Sequence, residues 1–150
     1  MLLQFVFAFL STIGFAVLFN IPKKAILKAS FAGGIGWIAY AFSNNYFHSP
    51  IVDSFIGACI VAIISEIFAR KFKETVTVFV IPGIIPLVPG AGMYYTMMAV
   101  VERDFNKFAL VGSETMFTAG GIAVALLIVS SMTRMIVQLK TKFKTIKSSM

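Results

Sequence analysis

Apolar residues run along this chain in long stretches, without the one-sided or alternating patterns of a water-soluble domain. Five stretches stand out, at about 2–20, 29–45, 51–69, 76–101 and 108–132. Each is close to the roughly 20 residues a helix needs to cross about 30 Å of hydrocarbon. Between them lie short polar marks: Pro22 with Lys23, Lys24 and Lys28; Asn44-Asn45 with His48-Ser49-Pro50; Arg70, Lys71 and Lys73; and Glu102 to Lys107. The pattern predicts an all-α integral membrane protein of about five transmembrane helices. They form a single transmembrane domain over residues 1–150, ending in a basic tail at 133–150 that reads as a frayed or interfacial helix.

The fourth stretch differs from the rest. It contains Pro82-Gly83-Ile84-Ile85-Pro86-Leu87-Val88-Pro89-Gly90-Ala91-Gly92. Three prolines remove three backbone donors and obstruct the carbonyls four residues earlier. The fourth helix is therefore predicted to be broken by this Pro/Gly-rich segment. In hydrocarbon the freed backbone groups need partners in protein or in a water-lined cavity, and such broken helices hold ligands in many transporters. A kinked helix that only serves packing is the alternative.

At helical spacing the other stretches also show faces. In the second, Gly33, Gly34 and Gly36 permit close helix approach, and with the small-residue third stretch they suit partner helices or another copy. Trp37, Tyr40 and Tyr46 read as an interfacial aromatic belt. The third carries Ser54, Ala58, Ala62 and Glu66 on one stripe, with Asp53, Gly57, Val61 and Ser65 beside it. In the last, Glu114, Thr118, Gly121 and Ala125 share a face.

Composition agrees: 59% of the 150 residues are hydrophobic and 13% charged, about half the charge of a soluble domain. The net charge of +7 does not point to nucleic acid, because the basic residues cluster at the ends of apolar runs. With five spans, all of them except Arg103 and Lys107 fall on one side. That side is then cytoplasmic, with the N-terminus outside and the C-terminus inside. No basic residue precedes the first stretch, and Lys23-Lys24 follow it, which reads as an uncleaved helix. The single Cys59 allows no internal disulfide. The lone His48 cannot build a metal site, and no phosphate-binding loop or activated serine is apparent. The reading is a non-enzyme, without metal or cofactor.

Chemistry then rests on carboxylates within spans. Asp53 sits a few residues into its span, where a helix-end role and a site role are equally open. Glu66 has Arg70 one turn on, an ion-pair spacing. Glu114 lies about 10 Å into the last span at about 1.5 Å per residue, with no basic residue within a turn. It must pair, protonate or face water, which suits a proton carrier, a partner for a substrate ammonium, or a hydrogen bond to the broken backbone. The predicted substrate and ion pathway comprises Pro82, Gly83, Pro86, Pro89, Gly90, Gly92 and Glu114, with Thr118 and Asp53 more loosely.

The triple-proline motif, followed by Gly112-Ser113-Glu114-Thr115 and Ala119-Gly120-Gly121-Ile122-Ala123, resembles the threonine/serine exporter (ThrE) family, specifically its small membrane subunit of the YjjB type. The resemblance spans nearly the whole chain and corresponds to the C-terminal half of single-chain members. It implies a subunit of a two-component, proton-coupled secondary exporter in the cytoplasmic (inner) membrane of a prokaryote. The implied substrates are threonine/serine-type amino acids or small dicarboxylates such as succinate. The implied partner is a larger subunit of the same family, with a homo-oligomer also open. Two other functions stay open: a non-transporting scaffold for that larger subunit, and a homo-oligomeric channel.

Overall fold

In the computed structural model, residues 1–148 are described, with side chains described through Leu139. The order is α1 (Leu2–Leu18), α2 (Lys23–Phe47), α3 (Pro50–Phe72), α4 (Thr77–Ile84), a 3-10 turn (Ile85–Leu87), α5 (Gly90–Val101) and α6 (Phe105–Ser148). No strand occurs among the described residues. By length and composition α2, α3 and α6 can each cross a membrane. The segments Thr77–Leu87 and Gly90–Val101 together pass the same test, bent by 56° at their break. The apolar α1, with 17 residues, is shorter. The all-α membrane architecture is the one the hydropathy pattern predicts.

Element ends differ from the prediction for local reasons. Lys23, Lys24 and Lys28, expected in a loop, lie in the first turns of α2, which opens directly after Pro22. Lysine is a good helix former, so a basic residue marks the end of an apolar run without ending a helix. Asn44 and Asn45 are likewise helical, and α2 stops only at His48, whose φ of 50° is left-handed. Ser49 precedes α3 and Pro50 occupies its first turn, where a missing N–H costs nothing. The last span and the expected tail helix form one continuous helix to Ser148. The side chains of Lys140, Lys142, Lys144 and Lys147 in the expected tail lie outside the described ones.

Helix α2 is the hub, touching α1, α3 and α4, and its glycines explain how closely they approach. A Cβ on Gly33 would stand 2.4 Å from Thr12 Oγ1 of α1, and one on Gly34 would stand 2.6 Å from the Phe5 ring. On Gly36 it would stand 2.2 Å from Val61 Cγ2 of α3. The expectation that this glycine face awaits another chain is corrected: α1 and α3 of the same chain fill it. The small stripe of α3 is also used internally, since Ala58, Val61 and Ala62 are fully buried or nearly so. Ala58 and Val61 form a cluster with Leu87, Ile122 and Ala125. At the basic end the Lys28 ammonium sits 3.3 Å from the Phe72 ring centroid, tying α2 to α3. Helix α5, by contrast, packs on α6 alone among the described residues.

Candidate functional site

The predicted break is narrower than the motif that announces it. Pro82 and Gly83 remain inside α4, and Gly90 to Gly92 form the first turn of α5. Between them the 3-10 turn is closed by the Val88 N–H donating to the Ile85 carbonyl at 3.2 Å. Val88 is extended (φ −63°, ψ 131°). Pro89, with φ −76° and ψ 60°, carries an inverse γ-turn, in which Gly90 N–H donates to the Val88 carbonyl at 2.8 Å. Proline suits this position because its fixed φ is the one the turn needs. Helix α5 therefore restarts in a new direction, with its first N–H groups unused by the helix and its positive end at the break.

That restart opens a cavity of about 440 Å³ between α5, α6 and the ends of α2 and α3. Pro86, Pro89, Gly90, Gly92, Glu114 and Thr118 of the predicted pathway all line it. The positive end of α5 and the Glu114 carboxylate thus share one cavity. Glu114 is exposed, and its carboxylate has no hydrogen bond or ion pair among the described residues. The expected hydrogen bond from broken backbone to Glu114 is therefore not formed. Thr118 and Thr115 each donate to the carbonyl four residues earlier, at 2.8 and 2.7 Å. Their hydroxyl oxygens remain available as acceptors. Glycine brings the two helices together here, because a Cβ on Gly92 would stand 2.4 Å from Thr115 Oγ1.

Three predicted residues lie elsewhere. Pro82 and Gly83 are buried in the bundle, where a Cβ on Gly83 would stand 2.9 Å from Val61 Cγ1. Their geometry is that of packing. Asp53 is wholly buried behind the cavity. It accepts a hydrogen bond from Ser43 Oγ at 2.5 Å, and its Oδ2 has no partner among the described residues. Its neighbour Ser54 is the α3 residue that reaches the cavity beside Pro50. The level of Glu114 also differs from a count along its own helix. Helix α6 passes the first turn of α3 at Gly121, whose Cβ would lie 3.4 Å from the Ile51 carbonyl. Glu114 precedes that crossing by two turns.

The cavity has an aromatic wall that sequence reasoning assigned to a lipid belt. Trp37 and Tyr40 line it with ring centroids 5.0 Å apart and planes at 26°, and Tyr95 faces them from α5. The i, i+3 spacing of Trp37 and Tyr40 beside the glycine face was the available signal. Aromatic faces, a carboxylate and free N–H groups can together hold a small molecule with both cationic and anionic groups. Among the described residues no cluster of three metal-ligating side chains occurs.

Three apolar helices long enough to cross a membrane, with a fourth apolar segment bent at its middle, define an all-α membrane protein. The family model described as "Threonine/Serine exporter, ThrE" matches residues 4–132, so the chain belongs to the threonine/serine exporter family. A protein of Haemophilus influenzae without a functional name is 25% identical over 109 residues. The match covers 73% of this chain and 37% of that relative, so the matched part spans well under half the relative's length. No solved structure matches.

Proposed function

We propose that this chain is the small membrane subunit of a two-component, proton-coupled secondary exporter of small polar metabolites. Its substrates are threonine/serine-type amino acids or small dicarboxylates. The observation that carries this reading is the cavity where the positive end of α5 and the unpaired Glu114 meet. Its volume of about 440 Å³ suits one small metabolite with some water. Backbone N–H groups at a helix start attract a substrate carboxylate. Glu114 offers a place for a proton or a substrate ammonium, and either exchange couples charge movement to export.

The need for a partner is supported by openness. Helix α5 leans on α6 alone, and Glu114 is exposed. An exposed carboxylate on a wall built from so few elements leaves room for a second chain to complete it. The relative's additional length supports the same view, since this chain matches only 37% of it. Lys23, Lys24, Lys28, Arg70, Lys71 and Lys73 gather at one end of the bundle. That supports a cytoplasmic side there in an inner membrane, with the N-terminus outside and the C-terminus inside.

Export is measured from cells holding this chain and its larger partner together, and each alone, across amino acids and dicarboxylates. Release that needs both chains and collapses with the proton gradient is the expected result. Equal transport by the partner alone would make this chain a scaffold. Passive flux through this chain alone would make it a channel.

A further inference from the structure

Glu66, Arg70 and Glu74 stand with Arg134 and Gln138 of α6 around a second cavity, at the basic end of the bundle. It measures about 500 Å³. Its lining is balanced in charge, with two carboxylates and two guanidinium groups. Arg70 is held only loosely: it donates to Glu66 Oε2 at 3.5 Å and to the Thr133 carbonyl at 3.4 Å, near the outer limit for hydrogen bonds. Arg134 and Glu74 have no ion-pair partner among the described residues. Both side chains are exposed.

Helix α3 joins this cavity to the one at the break. Ser54, Ala58, Ala62 and Glu66 form one stripe at i, i+4 spacing; Ser54 lines the first cavity and Glu66 the second. Between them only alanines intervene, and Ala58 is packed in one cluster with Ile122 and Ala125 of α6. The adjacent stripe, Asp53, Gly57, Val61 and Ser65, shows the same two ends differently. Asp53 Oδ2 and Ser65 Oγ are the two buried side-chain polar atoms left without a partner among the described residues. Such atoms are satisfied by water or a polar ligand. Both residues belong to the stripe beside the one that joins the cavities, each next in sequence to a lining residue, Ser54 or Glu66.

We propose that the basic-end cavity is a second binding site, where a small molecule bearing both a cationic and an anionic group is loaded. The α3–α6 seam at Ala58 and Ala125 is then the closed gate between the two sites. This rests on the exporter reading above and adds a site to it. The carboxylates of Glu66 and Glu74 face the cationic group, and Arg134 faces the anionic one. Alanines on the seam present no long side chain to oppose sliding of α6 against α3.

The test uses the assembled exporter in vesicles, with threonine and succinate as separate probes loaded at varied internal concentration. Arg134→Gln should raise the half-saturating internal threonine concentration by about tenfold, the value of one charge-assisted contact. The maximal rate should stay within about twofold, and Arg134→Lys should recover part of the loss. In a Cys59→Ala background, oxidising the pair Ala58→Cys and Ala125→Cys should stop export reversibly, while equilibrium threonine binding from the basic end persists. Unchanged half-saturation in both Arg134→Gln and Glu74→Gln would overturn the second site. Export that continues through the cross-linked seam would overturn the gate. Failure of the exporter reading looks different: the wild-type assembly then shows no gradient-dependent release of either probe.

Discussion

The bundle of α1 to α4 and the hairpin of α5 and α6 solve opposite problems with the same residue types. In the bundle, Gly33, Gly34, Gly36 and Gly83 face side chains of neighbouring helices so closely that a Cβ would collide. In the hairpin, Gly90 and Gly120 have no atom within 4 Å of where a Cβ would be. The bundle buries Phe79, Val61 and Thr12 completely. The hairpin leaves Met93, Tyr94, Met97 and Met116 more than half exposed, and in α5 only Ala99 is buried. Gly33, Gly34, Gly36 and Gly83 are filled sockets; Gly90 and Gly120 are open surface, while Gly92 is packed against Thr115 inside the hairpin itself. Both regions present apolar surface, Leu2, Leu3 and Phe7 of α1 as well as the hairpin's methionines, but the bundle's interior is the more completely filled.

Substitutions at these glycines should separate the regions sharply. Gly36→Leu should prevent folding, because Val61 and the Gly57 carbonyl both lie against that position. Gly36→Ala should cost about 1–3 kcal/mol by overpacking, read as a lower denaturant midpoint in detergent. Equal stability of Gly36→Ala and the wild type would show that α2 and α3 are not packed as described.

A smaller loss is expected behind the cavity. Asp53→Ala removes the acceptor of the buried Ser43 hydroxyl, at about 1–3 kcal/mol. Asp53→Asn keeps an acceptor and should lose less. If both variants were equally destabilised, charge rather than the hydrogen bond would be what Asp53 supplies.

Gly120→Ala should have the smallest effect on the chain by itself: unchanged stability, or a gain of up to about 1 kcal/mol from helix propensity. In the two-chain assembly the same variant tests the open surface. Loss of co-purification with the partner would place the contact across Gly120, and unchanged co-purification would move it to another face of the hairpin.

Much of this division was legible in the sequence, and the remainder has physical reasons. Prolines act on their own backbone, so Pro86 and Pro89 could be read as a break without knowing any neighbour. Glu114 and Thr118 share a face by spacing alone. Gly36 could be read as a close-approach site, but its partner could not, because Val61 and a residue on another chain would leave the same trace. Trp37 and Tyr40 were read as belt residues since an aromatic near a span end has the same pattern whether it meets lipid or a cavity. Lys23 and Lys28 marked the end of hydrocarbon, which is a different boundary from the end of a helix. For the same reason the polarity after Met132 marked the end of the apolar run, while the helix continues to Ser148.

The account depends most on Glu114, the exposed carboxylate that shares a cavity with the start of α5. The direct measurement is gradient-driven threonine release by the assembled exporter carrying Glu114→Gln, with Glu114→Asp alongside and assembly checked by co-purification. The prediction is full assembly with release lost in Glu114→Gln and partly kept in Glu114→Asp. Release by Glu114→Gln at the wild-type rate, with the same dependence on the proton gradient, would contradict it.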